Sequence, residues 1–196
     1  MKRIASSVLA CLVAGQSFAA AKGTTAALDP MLAGLAWGED TPALKQHFGK
    51  SVIALSPPIE FGDAYVDVAL RDVMLGGYGY VVYFQMDKTS HGLRRVMFER
   101  PRHGANHAVF DATVHAIEAQ LGKPARCSAK ARAENGYQAI DEYSWHGEGR
   151  RVRAIFRDTT LEAESGCQVV GFLPCGLEGH LFILVDPDRT SGPDCG

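Results

Sequence analysis

The chain has 196 residues, 46% of them apolar, and its 20 Lys and Arg residues against 22 Asp and Glu residues give a formal net charge of −2. A nucleic-acid partner requires a strongly basic surface, so this balance argues against one. The length suits one domain with a substantial core or two small lobes.

The first residues predict export. Lys2 and Arg3 precede an apolar run at residues 4–14. This run is far shorter than the roughly 20 residues that a membrane-spanning helix needs. Small residues at 17–21 suit cleavage by a signal peptidase, so residues 1–21 are interpreted as a signal peptide. The mature protein is therefore expected to be periplasmic or secreted and to lack a transmembrane segment.

Four cysteines remain after the signal peptide, all in the second half of the chain: Cys127, Cys167, Cys175 and Cys195. An even number of cysteines in an oxidising compartment predicts two disulfides, with three possible pairings. The favoured pairing joins Cys175 to Cys195, because this would pin the tail at residues 187–196, and leaves Cys127 for Cys167. The other two pairings remain open.

The first predicted element after the signal peptide is a helix within the segment 37–48. Asp40 or Thr41 suits its N-cap because Pro42 follows, and Gly49 suits its C-terminal cap. Alternating and β-branched residues then predict strands at 52–55, 64–70, 80–86 and 93–99.

The second half begins with a helix over residues 105–121, which carries an apolar stripe and ends at Gly122. The strands predicted after it lie at 137–145, 151–157, 168–173 and 180–185. A turn is expected at 146–149.

The two predicted helices align at an offset of 73 residues, and a Gly-Lys pair follows each of them. A helix followed by an antiparallel meander, twice, predicts an α+β fold of two tandem units that form a two-layer helix-on-sheet domain. The units are expected at residues 22–101 and 102–186. Trp37 and Trp145 are expected in the core.

This order of an apolar helix, a glycine and strands resembles the small periplasmic modules of the SmpA/OmlA lipoprotein family and the secreted β-lactamase-inhibitor proteins, which carry the unit twice. The resemblance covers most of the mature chain. It implies a class of proteins that bind other proteins or envelope components and do not catalyse reactions. It implies no individual functional residue.

A basic band is predicted on the sheet. In an extended strand Arg151, Arg153 and Arg157 share one face. Arg94 and Arg95, in the matching strand of the first half, extend the band. Guanidinium groups pair with carboxylates and phosphates, so the expected partner is a protein or an anionic envelope component. A solvated face that protects against aggregation is the alternative.

The glycine-rich loop at residues 76–79 lacks the helix and the Lys-Ser/Thr pair of a phosphate-binding loop, and no cofactor is predicted. Its glycines are expected to accommodate a bulge or close packing between strands. Tyr78 and Tyr80 are candidate partner contacts, because exposed aromatic side chains are effective anchors at interfaces.

An exported hydrolase is the alternative function. His107, Asp111 and His115 recur every four residues along the second helix, and imidazole and carboxylate at this spacing can share a zinc ion. With His103, they would centre a metal- or histidine-dependent site on residues 103–115. No HExxH-type signature is present. We therefore favour a non-catalytic binding protein, such as an inhibitor, an immunity factor or an assembly accessory factor.

Overall fold

The computed structural model describes residues 28–101, 104–127, 138–158 and 179–188. The predicted signal peptide, the strand expected at 168–173, the side chain of Cys127 and the other three mature cysteines lie outside these residues. The disulfide pairing therefore stays a prediction, as do the boundaries of the two units.

The helices are α1 (Leu28–Leu32), α2 (Thr41–Phe48) and α3 (His107–Leu121), with a short 3-10 turn at Gly49–Ser51. The strands are β1 (Val52–Phe61), β2 (Ala64–Leu75), β3 (Tyr78–Asp87), β4 (Leu93–Glu99), β5 (Ala125–Cys127), β6 (Gln138–Gly147), β7 (Arg150–Asp158) and β8 (Gly179–Pro187). All seven strands predicted within the described ranges are present, and several run longer than expected, whereas β5 was not predicted.

The eight strands of the described residues form one antiparallel sheet in the order β1-β2-β3-β4-β8-β7-β6-β5. The meander β1 to β4 meets the later strands where β4 pairs with β8 and Val96 lies opposite Val185. The edge strands are β1, which contains Pro57 and Pro58 on its exposed part, and the three-residue β5.

The predicted α+β fold of two helix-on-sheet units is wrong. The strands of both halves join edge to edge into a single sheet, which dominates the described chain. The helices do not form a matching layer over each half. Helix α2 has eight residues and buries only Leu44 fully, whereas α3 has 15 residues and buries five side chains. The alignment of the two helices therefore did not predict how much of the sheet each one covers.

The helix ends follow from local capping chemistry. The Asp40 carboxylate accepts a hydrogen bond from the backbone N–H of Ala43 at 3.0 Å, as the sequence predicted for α2. The side chain of Asn106 does the same for Val109 at the start of α3. These caps satisfy backbone donors that have no partner within the helix.

The core lies between the three described helices and one face of the sheet. Phe110 of α3 packs against Phe156 of β7, with ring centroids 5.7 Å apart. Trp145 is buried as predicted, and its indole N–H donates to the Gly122 carbonyl at 2.8 Å. Trp37 is 37% exposed, so its predicted place in the core is wrong. Within the described ranges, no helix combines the length and apolar character needed to cross a membrane.

Candidate binding site on the sheet face opposite α3

The strand alternation divides the side chains of β7 between the two faces of the sheet. Val152, Ala154 and Phe156 are buried in the core. Arg151, Arg153 and Arg157 therefore lie on the face opposite α3, as the sequence predicted. We call this surface, with Arg95 of β4, the arginine face.

The arginines of the two strands meet at a carboxylate that the sequence analysis did not single out. Strand β8 lies between β4 and β7, and its Asp186 faces both of them. Arg95 Nε donates to Asp186 Oδ1 at 2.5 Å. On the other side, Arg153 Nη2 and Arg151 Nη2 lie 3.5 Å and 3.9 Å from Asp186 Oδ2. One carboxylate thus holds three guanidinium groups together.

The centre of this cluster is buried. Arg153 also lies 3.5 Å from the carboxylate of Glu142 on β6. Burial lowers the pKa of Arg153, and the charges of Asp186 and Glu142 oppose that shift. Arg153 Nε, Asp186 Oδ2 and Glu142 Oε1 are buried and make no hydrogen bond to another described residue. The buried centre therefore retains hydrogen-bonding capacity that the described residues do not use.

The outer members of the cluster are accessible. The side chains of Arg95 and Arg151 are 30% and 27% exposed. Arg157 is also half-buried, and its guanidinium lies 5.9 Å from the centroid of the Phe182 ring. These arginines can contact a partner while Asp186 holds two of them in place.

Apolar side chains lie between the arginines. Tyr83, Met97 and Leu184 occupy one row across β3, β4 and β8, opposite one another in the strand register. Tyr83 and Leu184 are half-buried, whereas Met97 is buried and its sulfur accepts a hydrogen bond from Gln85 at 3.5 Å. The arginine face therefore combines cationic and apolar contact groups.

The structure places the other predicted contact residues elsewhere. Arg94 is turned away from Asp186 and pairs with Asp63 in the turn between β1 and β2. Tyr78 is half-buried, and the Arg100 guanidinium lies over its ring, with Cζ of Arg100 5.7 Å from the centroid of the Tyr78 ring. Tyr80 is only 1% exposed, so it belongs to the core and not to a binding surface.

The side chains proposed for a metal site do not converge. His107, Asp111 and His115 are exposed along α3, and the His107 ring packs 4.5 Å from that of Phe156. Among the described residues, no group of three or more His, Cys, Asp or Glu side chains has a metal-binding arrangement. His103 lies outside the described residues.

A serine, a histidine and a carboxylate lie in series at the edge of the arginine face. Ser144 Oγ is 3.3 Å from His146 Nε2, and His146 Nδ1 is 3.5 Å from Asp188 Oδ2. This order is that of a nucleophile, a base and an orienting acid. Ser144 is only 1% exposed, however, so a substrate carbonyl cannot reach its hydroxyl in this structure. The set fits a structural role better than hydrolysis.

Comparison of the chain with protein-family models, with curated proteins and with solved structures finds no match in any of the three. The functional conclusion therefore depends on the geometry described above.

Proposed function

We propose that this chain is an exported, non-catalytic binding protein whose arginine face recognises an acidic protein. The observation that carries the proposal is the convergence of Arg95, Arg151 and Arg153 on Asp186. The whole chain has a formal net charge of −2, yet this face gathers cations around one carboxylate. Arg95 and Arg151 present guanidinium groups to solvent, and a partner carboxylate can accept bidentate hydrogen bonds from such groups.

The apolar side chains favour a protein over an anionic envelope polymer. Arginine, methionine and aromatic residues are enriched in protein interfaces. On this face Tyr83 and Phe182 are half-buried beside the arginines. A polyphosphate or acidic polysaccharide would use the charges but would leave this apolar surface in contact with water.

Site-specific photocrosslinking tests the proposal. A photoreactive benzoylphenylalanine at Tyr83 would place the probe on the arginine face. The same probe at His115, which is exposed on α3, would serve as the control on the opposite side of the sheet. In envelope extract we expect an acidic protein to crosslink from position 83 and not from position 115.

Charge variants of the protein that carries the photoreactive residue at position 83 complete the test. Arg151→Gln removes a guanidinium that lies 3.9 Å from Asp186, so its cost to folding is small. We expect it to reduce the crosslink at least tenfold. Arg94→Gln, the matched control, should leave the crosslink unchanged. No crosslink to any protein, equal crosslinks from both probe positions, or equal effects of the two variants would overturn the proposal.

A further inference from the structure

The side chains of the arginine face are arranged in rows that run across the strands. Tyr83 of β3 lies opposite Met97 of β4, and Met97 lies opposite Leu184 of β8. We call these three residues the apolar row. Tyr83 and Leu184 remain accessible at its two ends, with the buried Met97 between them. The row crosses three adjacent strands, so its ends are about 9.5 Å apart.

A second row, of charged side chains, runs beside the apolar row. Asp186 of β8 lies opposite Arg151 of β7 and accepts a hydrogen bond from Arg95 of β4. Arg95 is two residues from Met97, and Asp186 is two residues from Leu184, a separation of about 7 Å along a strand. The accessible guanidinium groups of Arg95 and Arg151 therefore flank the apolar row at the distance of one neighbouring row.

The two sides of the apolar row differ in charge. In the direction away from Arg95, the side chain two residues beyond Met97 on β4 is Glu99, which lies opposite Phe182 of β8. A carboxylate and an aromatic ring thus occupy the side that lacks Arg95 and Arg151. A partner must therefore place its own carboxylates along one side of the apolar row.

The backbone of the sheet determines what kind of element can lie on this surface. The strands β3, β4, β8 and β7 are each paired on both sides, so their backbone groups are used within the sheet. An extended segment laid across them would bury its own N–H and C=O groups without partners. An α-helix pairs its own backbone groups and presents side chains. Neighbouring side chains on one side of a helix are about 5–6 Å apart, close to the spacing of about 4.8 Å between strands.

We propose that the acidic protein contacts the arginine face with an amphipathic α-helix that lies across the strands. The apolar side of this helix packs on Tyr83 and Leu184, and its carboxylates pair with Arg95 and Arg151. An amphipathic helix on an apolar surface is a recurrent mode of recognition. This assignment rests on the proposed function, because the partner is the same acidic protein.

Photocrosslinking from three positions, with the crosslinked partner residues mapped by mass spectrometry, tests the helix and its direction. Benzoylphenylalanine at Tyr83 and at Leu184 probes the two ends of the apolar row, and at Phe182 it probes a second point on β8. A helix rises about 1.5 Å per residue, so positions 83 and 184 should crosslink to residues about six apart in one segment. Positions 182 and 184 should crosslink to residues within about one helical turn of each other.

A pair of leucine variants tests the apolar row itself. In the protein with the probe at position 83, Leu184→Ala removes accessible apolar surface and should reduce the crosslink about fivefold. Leu35→Ala is the matched control, because Leu35 is also half-buried but packs against the core on the opposite side of the sheet. It should leave the crosslink unchanged. Thermal melting verifies that both variants are folded.

The possible failures separate this inference from the proposed function. Crosslinks from positions 83 and 184 to different segments of the partner would overturn the helix and leave the acidic partner in place. Crosslinks to residues about three apart, as in an extended strand, would have the same meaning. Equal effects of the two leucine variants would also overturn the helix. No crosslink from any of the three positions would overturn the proposed function as well.

Discussion

Tyr80 of β3 and Thr113 of α3 share a hydrogen bond of 2.6 Å in the core, where both residues are buried. The Thr113 hydroxyl also donates to the Val109 carbonyl at 2.7 Å. Since threonine has a single hydroxyl proton, the Tyr80 O–H must be the donor to Thr113. The sheet and α3 are thus joined by a short relay of two hydroxyl groups.

Because of this relay, substitutions of Thr113 and of Tyr80 should lower the stability of the protein by different amounts. Thr113→Val keeps the shape of the side chain but leaves the Tyr80 O–H buried without an acceptor, at a cost of about 1–3 kcal/mol. Tyr80→Phe leaves Thr113 bonded to Val109, so it should cost only about 1 kcal/mol. Urea denaturation measures both values. The double variant should be more stable than Thr113→Val alone, and additive losses would contradict the hydrogen bond between the two hydroxyl groups.

Ionisation of the Tyr80 phenol should lower the stability of the protein at alkaline pH. Burial raises the pKa of Tyr80 from 10.0 to about 12. Below pH 10 the phenol is neutral in both the folded and the unfolded protein. Between pH 10 and 12 it ionises mainly in the unfolded protein, so the free energy of unfolding falls by about 1.4 kcal/mol per pH unit.

Comparison with Tyr80→Phe isolates this contribution, because the other ionisable groups are the same in both proteins. The stability of the wild type relative to the variant should fall by roughly 1 kcal/mol between about pH 9 and about pH 11 in urea denaturation. A constant difference over this range would show that Tyr80 ionises at its ordinary pKa in the folded protein.

Tyr80 also shows where sequence reasoning stopped short. Its alternation with Val82, Phe84 and Met86 already assigns it to the buried face of β3, yet its position beside a glycine-rich loop favoured a surface role. Asp186 carried a similar pattern, because it alternates with the buried residues of β8 and so belongs to the opposite face. The alternation of residues along each strand was therefore sufficient to predict the sheet face on which Tyr80 and Asp186 lie.

The sequence analysis placed Arg95 in one band with Arg151, but the meeting of both at Asp186 could not be predicted in this way. It depends on β8 lying between β4 and β7, and no local pattern specifies which strands pair when their residues are 91 positions apart in the chain. The sequence analysis did predict most strands within the described ranges and the caps of α2. It also predicted that Arg151, Arg153 and Arg157 share one face. These features depend on neighbouring residues, whereas the single sheet and its cluster depend on long-range pairing.

Asp186→Asn should strongly destabilise the fold. It removes the negative charge that holds Arg95, Arg151 and Arg153 together, and breaking a largely buried ion pair costs about 3–5 kcal/mol. Asp63→Asn is the control, because Asp63 pairs with Arg94 but is largely exposed, and should cost less than about 1 kcal/mol. Equal losses in urea denaturation would mean that Asp186 is not the centre of the cluster.

The turn between β2 and β3 consists of the two residues Gly76 and Gly77, whereas the sequence analysis expected a bulge or close packing between strands. Both glycines have positive φ, +60° and +85°. A Cβ at Gly76 would lie 2.7 Å from the Ala112 carbonyl oxygen of α3, whereas a Cβ at Gly77 would meet nothing within 4 Å. The turn therefore packs tightly on α3 through Gly76 alone.

Alanine at each position separates backbone strain from this close approach. Gly77→Ala should cost about 1–2 kcal/mol through strain alone. Gly76→Ala should cost about 1–3 kcal/mol more because the helix must move. Thermal or urea denaturation of the two variants gives the difference. Equal stabilities would show that the turn and α3 can separate freely.

The prolines of β1 have a consequence for self-association. Pro57 and Pro58 lie on the exposed part of an edge strand and carry no N–H group. Because consecutive residues of a strand direct their N–H groups to opposite sides, one of these two positions faces the rim, and a strand from a second molecule would find that donor missing. At the opposite border of the described sheet, β5 has three residues. The β1 border of a sheet that would otherwise invite fibril growth is thereby interrupted by its own backbone.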